Sequence, residues 1–389
     1  MPWRYCIGIL FVLSTATPLV ASPVHRIIGS PDEDAECLFF PRQAEIGPDS
    51  NIYALDSGDA FIKVFSPSGE FLHKFGGEGE GPGEFQRIDG ATIGFTWEGS
   101  LFFTEFIGGH RWITIMDLHG QLDRVVSLEV DQLFGVQKAF SLPDGRFLVQ
   151  LAFSSVPRPV KNYYLYDSPV ALALVDSQGR LQEEILRLEH TSGVSYSPDG
   201  GDTSLPFAPG LSWTVVGNSG LVWTEGLDPN LNRMDLLTHQ SGSIPTPLPE
   251  PRKVKDDDIR EWVQHRREFM RERNPVWWDR FGRVVEELGH SVNKVIPNIG
   301  RIERTPAGHF LIHGSQSDGA PEYGYWLLDE NGARLAFQDP EAWNVHFSGS
   351  CLMAVSRSSD GEDLLHVISD FGSEAEALIY LSEVLNSEE

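Results

Sequence analysis

Apolar and polar positions alternate along this chain in short blocks, and the clearest stretch is residues 51–85, NIYALDSGDAFIKVFSPSGEFLHKFGGEGEGPGEF. The pattern predicts strands over 52–55, 61–65 and 71–75, separated by a polar break at 56–58 and by the turn Ser66-Pro67-Ser68-Gly69. Gly69 supplies the positive φ that a tight hairpin needs. Three antiparallel strands joined this way form a meander, which cannot bury both faces alone and must stack on further layers.

The chain repeats the pattern. A turn followed by an apolar run occurs at Asp49-Ser50 before NIYAL, Glu98-Gly99-Ser100 before LFFTE, Pro143-Asp144-Gly145 before RFLVQ, Asn218-Ser219-Gly220 before LVWTE, Pro306-Ala307-Gly308 before HFLIH and Gly349-Ser350 before CLMAV. Each is followed by a second strand and a second turn: SPSG after Phe65, DLHG after Met116, DSQG after Val175, THQSG after Leu237, DENG after Leu328 and SDFG after Ile368. Units of two turns and four strands, recurring every ~40 to 60 residues, predict an all-β, six-bladed β-propeller of four-stranded antiparallel blades.

The segment NIYALDSG with VFSPSGEFLHKFGGEGEGPGEF resembles the NHL-type repeat, and specifically the secreted bacterial six-bladed β-propeller family with NHL-like repeats. The resemblance is strongest over 51–85 and persists as turns and strands in blades 2 to 6. It implies a propeller, a secreted location and a charged helical insertion before the fifth blade. It implies no reaction, because such folds host binders and unrelated enzymes alike.

At the start, residues 1–22 carry Arg4 ahead of an apolar run ending in Ala21-Ser22, the form of a secretory signal peptide. The mature chain is then a single propeller domain over 23–389, exported to the periplasm or the medium, with no membrane insertion. Residues 25–28 are expected to close the ring by adding the last strand to blade 6, because 373–386 read as a C-terminal helix. Of the two cysteines left, Cys37 enters blade 1 and Cys351 lies in blade 6, so they form either a disulfide or two buried thiols.

The formal net charge of −26 disfavours nucleic acid and anionic membranes as partners. Against that background, residues 252–283 hold ten of the 30 Lys and Arg residues. Apolar positions Ile259, Trp262, Val263, Phe269 and Met270 give this insertion, about 253–289 between blades 4 and 5, a helical period. It reads as a lid, an anion-binding edge or a solvated helix on the rim.

Long connections cluster on the face that carries the b–c and d–a loops, where function is expected. Aligned exits of strand b place Asp56, Glu105, Glu225 and Ser356 there, with Gln150 and His313 one residue earlier. As a ring at the channel mouth, Asp56, Glu105 and Glu225 would hold a divalent cation such as Ca, with His313 as acid or base in a metal-dependent hydrolase, lactonase or lyase. As structural groups they would bind neighbouring backbone. No nucleophile elbow, metalloprotease helix, phosphate loop or zinc spacing appears. The favoured expectation is therefore a non-catalytic propeller that binds a peptide, glycan or protein partner through Trp112, Tyr163, Tyr164, Trp277 and Trp278.

Overall fold

The computed structural model describes residues 23–29, 37–81, 83–86, 88–106, 109–160, 162–195, 203–270, 284–288, 293–314, 324–340, 342–357 and 363–386. The expected signal peptide, Trp277 and Trp278 lie outside them.

The strands form six antiparallel blades, each ordered a, b, c, d in space. Blade 1 is Pro41–Ile46, Ile52–Asp56, Phe61–Phe65 and Phe71–Gly76. Blade 2 is Ala91–Phe95, Leu101–Glu105, Trp112–Met116 and Leu122–Ser127. Blade 3 is built on Leu133–Ser141, Phe147–Phe153, Tyr163–Val175 and Leu181–Ser195. Blade 4 is Ser212–Val216, Gly220–Thr224, Leu231–Asp235 and Ser241–Ile244. Blade 5 is Ile299–Arg304, Phe310–Gly314, Tyr325–Leu328 and Arg334–Gln338. Blade 6 is Trp343–Ser348, Cys351–Arg357 and Asp363–Ser369, completed by the N-terminal strand Val24–Ile28 in antiparallel register.

Every pair of neighbouring blades encloses its own apolar cluster, and the sixth, between blades 6 and 1, closes the ring. In that seam Ile28, Val355 and Val367 meet Ala44, Ile52 and Phe65. A blade is therefore apolar on both faces, which explains the continuous apolar runs such as LFFTE and CLMAV. Helix α2 (Glu374–Asn386) turns Ala377, Leu378, Leu381 and Leu385 into the blade 5 to 6 cluster.

The turns are held by a repeated device. Asp117, Asp176 and Asp329 open the c–d turns of blades 2, 3 and 5, each accepting backbone N–H bonds two and four residues ahead. Gly120, Gly179 and Gly332 follow with φ near +80 to +90°. An aspartate and a left-handed glycine at this spacing fix the hairpin, which is why DLHG, DSQG and DENG recur.

Blade 3 departs from the repeat. Its outer hairpin runs 13 and 15 residues per strand, well past the blade, and gains Val156–Val160 and Thr203–Ser204 as additional strands. On this extension lies helix α1 (Asp256–Met270) from the insertion after blade 4. Ile259 and Val263 of α1, with Val284, Val285 and Leu288, pack on Leu165, Val194 and Leu205 in a separate apolar cluster. The insertion is therefore held by apolar packing on blade 3. Two of its basic residues bond locally: Arg252 makes two bonds to Asp258, at 2.7 and 2.8 Å, and Arg260 pairs with Asp257.

Candidate functional site

The central channel is lined by the first strand of every blade. One polar side chain from each, Gln43, Thr92, Lys138, Ser212, Arg301 and Asn344, borders a cavity of about 560 Å³. Their spacing is regular. Gln43, Lys138 and Arg301 each stand five residues ahead of the proline opening the a–b turn, namely Pro48, Pro143 and Pro306.

Strand a is an edge strand whose outward N–H and C=O groups need partners, which explains the polar Gln43, Lys138 and Ser212. Side chains of the adjoining blade supply them. The Gln43 amide donates to Ile93 O and accepts from Ile93 N, bridging blades 1 and 2 as a strand would. Lys138 Nζ donates to Trp213 O at 2.9 Å, and Ser212 Oγ accepts from Ile302 N at 2.7 Å. Ser348 Oγ accepts from Ile46 N at 2.8 Å, and His346 bonds Ala44 O. These bonds tie blade 1 to 2, 3 to 4, 4 to 5 and 6 to 1.

Arg42, Lys138 and Arg301 are the charged residues lining this cavity among the described residues, so its wall is cationic in a chain of net charge −26. Lys138 is half-buried with Nζ 4.7 Å from the centre of the Trp213 ring. Burial, reinforced by the nearby Arg301 guanidinium and opposed by Glu303 and Glu45, pulls its pKa down to about 8. Arg301 pairs with Glu303, and Glu45 accepts from Ser348 and Gln43.

Two further cavities adjoin the channel. One of about 470 Å³ shares Arg42, Gly300, Arg301 and Asn344 with it and is walled by Glu303, His313 and Tyr325. The His313 ring stacks on Tyr325 at 4.5 Å, and burial followed by the Arg301 charge lowers its pKa to about 4. His313 is therefore neutral near pH 7. Asn344 holds φ at +53°, a left-handed backbone state that Asn tolerates better than bulkier residues. The other cavity, of about 370 Å³, shares Phe106, Gln137, Gln150 and Leu211 with the channel. It extends toward blade 3 between Phe134, Phe153, Val170 and His190. Gln150 links its wall to the channel, accepting from Trp213 Nε1 at 2.7 Å and donating to Gln137 at 2.6 Å.

The carboxylates expected to form a metal ring do not meet. Asp56 is wholly buried, bonded to Lys63 at 2.8 Å and accepting from the backbone N–H of Phe39, Phe40 and Gly58. It fastens the chain entering blade 1. Glu105 is buried against His110, 3.2 Å away, and Glu225 lies 3.8 Å from His190. Among the described residues no group of three or more His, Cys, Asp or Glu is placed to hold a metal ion. Ser356 is bonded at 2.6 Å to His366, whose other nitrogen meets His25 of the closing strand at 2.9 Å.

The expected aromatic anchors are dispersed. Trp112 meets His110 in a tilted contact with ring centres 3.9 Å apart, while Tyr163 joins the cluster under α1 and donates to Glu287 at 3.2 Å. Tyr164 belongs to the blade 3 extension, opposite Pro159 and Ser195. The Cys37–Cys351 disulfide is not made. Cys37 precedes strand a on the d–a face, where its carbonyl meets Lys63. Cys351 opens strand b beside the a–b turn, on the opposite face.

No family model and no curated protein matches the chain. Among solved structures it is similar to virginiamycin B lyase from Staphylococcus aureus, at 10% identity over 90% of this chain and 99% of that one, with a TM-score of 0.44. It is also similar to the calcium-binding protein regucalcin from Agrobacterium tumefaciens, at 10% identity over 87% and 94%, with a TM-score of 0.45. The RRP9 WD40 repeats match at 11% over 89% and 97%, also at 0.45. At these scores the assignment of six blades rests on the chain's own sheets and clusters. No helix among the described residues is long and apolar enough to cross a membrane.

Proposed function

We propose that this is an exported, non-catalytic propeller that takes a small ligand, or the end of a peptide or glycan chain, over the mouth of its central channel. The observation that carries this is the continuity of the three cavities, which share lining residues and receive a polar side chain from every blade. A concave, polar-anchored site with an apolar extension is how proteins seat small ligands. Asp56 is consumed by Lys63 and backbone N–H groups, and among the described residues no three carboxylate or imidazole groups converge, which favours binding over that chemistry. Export follows from the Arg4-led apolar run, and N-terminal sequencing of chain recovered outside the cytoplasm should start near residue 23.

Gly210 lines the blade 3 cavity, and a Cβ there meets nothing within 4 Å. Gly210→Trp should therefore fill the site while leaving the blades folded. Thermal unfolding of both proteins with pools of short peptides, oligosaccharides and small organic acids tests the reading. A pool that raises the midpoint of the parent and not of the variant supports it, since a ligand that binds the folded state stabilises it by mass action. Equal stabilisation of both, or no effect from any pool, contradicts it.

A further inference from the structure

Resting on that reading, we propose that the ligand is an amphipathic monocarboxylate, its carboxylate beside Lys138 and Arg301 and its apolar body between Phe106, Phe134 and Phe153. The cavity wall provides the charge. Lys138 spends one donor on Trp213 O at 2.9 Å, and an ammonium group carries three. Arg301 lines the same cavity as Lys138 and its charge acts on it, and Arg42 stands on the same wall. The resident counter-charges are Glu303, paired with Arg301, and Glu45, close enough to influence Lys138. Lys138 and Arg301 thus present N–H donors whose charge Glu45 and Glu303 already partly offset, which suits the single charge of a carboxylate better than a phosphate dianion.

The apolar body is set by the adjoining cavity. Phe106 and Phe134 meet edge to face at 5.7 Å, and Phe106 borders both this cavity and the channel. Gln137 and Gln150 mark the boundary between them. A molecule with a charged head and a flat apolar flank spans the two without placing its charge on the aromatic rings. Charge-assisted hydrogen bonds to a carboxylate in such a partly dry site are about twice as strong as neutral ones.

Calorimetric titration of the full chain with phenylbutyrate and with its neutral amide provides the test. The acid should bind at least about tenfold more tightly than the amide, a difference of about 1.4 kcal/mol. Lys138→Gln and Arg301→Gln should each erase most of that preference, with thermal midpoints showing that both variants remain folded. Two substitutions are used because Lys138 also joins blades 3 and 4. Equal affinity for acid and amide, with binding still lost in Gly210→Trp, would overturn the carboxylate and leave the channel as a ligand site. Displacement of phenylbutyrate by inorganic phosphate at comparable concentration would overturn the single-charge assignment. Absence of saturable binding by either compound at millimolar concentration would overturn the proposal, and the peptide and oligosaccharide pools would then decide separately whether the channel binds anything.

Discussion

Blade 1 and blade 3 are built on the same four-strand plan and end differently. In blade 1 strands b and c have five residues each and stop at the rim, where the buried Asp56 and Lys63 tie the incoming chain to the sheet. In blade 3 the outer hairpin overruns the rim and becomes the support for α1. The difference shows how a repeating frame acquires a site. Where strands stop together, polar groups are consumed in closing the blade. Where they run on, their sides enclose new space, and the aromatic cavity beside the channel lies at the foot of that extension.

The largest effect should come from breaking the blade 1 closure. Asp56→Ala leaves Lys63 buried without its 2.8 Å partner, with Asp59 at 3.0 Å as its remaining carboxylate. It should cost about 3–5 kcal/mol, measured by urea unfolding. A loss below about 1 kcal/mol would mean that the pair contributes no more than a surface ion pair.

Truncation of Val263 or Ile259 in α1 should cost about 2–4 kcal/mol in the cluster they occupy. The loss should be local. Amide exchange should rise across α1, 284–288 and the far end of the blade 3 hairpin, while blades 1, 2 and 5 keep their protection. Uniform deprotection would show that α1 and the ring unfold as one unit.

A smaller effect, about 1–3 kcal/mol for each group, should follow from pH. Burial holds His110, His313 and His366 near pKa 4, helped in His313 by Arg301 and in His366 by His25. Their folded pKa lies below the unfolded value of about 6.5, so the neutral form is favoured by folding. The associated stability is complete above about pH 6.5 and is lost as pH falls toward 4. Because His366 and His25 join the closing strand to blade 6, amides of that strand should exchange earliest in acid. Stability that is flat from pH 7 to 4.5 would contradict this.

The frame was legible in the sequence because turn chemistry is local. Asp and Gly at fixed offsets, and apolar runs between them, give the blade count, the closing strand and the place of the insertion. The site was less legible. Asp56, Glu105 and Glu225 are acidic at matching strand b exits, yet they do not converge: Asp56 is paired with Lys63, while Glu105 lies 3.2 Å from the His110 ring and Glu225 3.8 Å from that of His190. The channel ring lay one strand earlier. Gln43, Thr92, Lys138, Ser212, Arg301 and Asn344 share a register but no chemistry, so only alignment on the a–b turns would have gathered them. The helix of the insertion was legible from its apolar period but its docking was not, since nothing local says that Ile259 and Val263 rest on Leu165 and Val194.

The central claim is that ligand binds over the channel, on the face where the blade 3 extension carries α1. Amide exchange with and without phenylbutyrate tests it most directly. The account predicts new protection in the first strands of blades 3, 4 and 5, around Lys138, Ser212 and Arg301, and none at the a–b turns. Protection confined to the a–b turns or to the outer strands would contradict it.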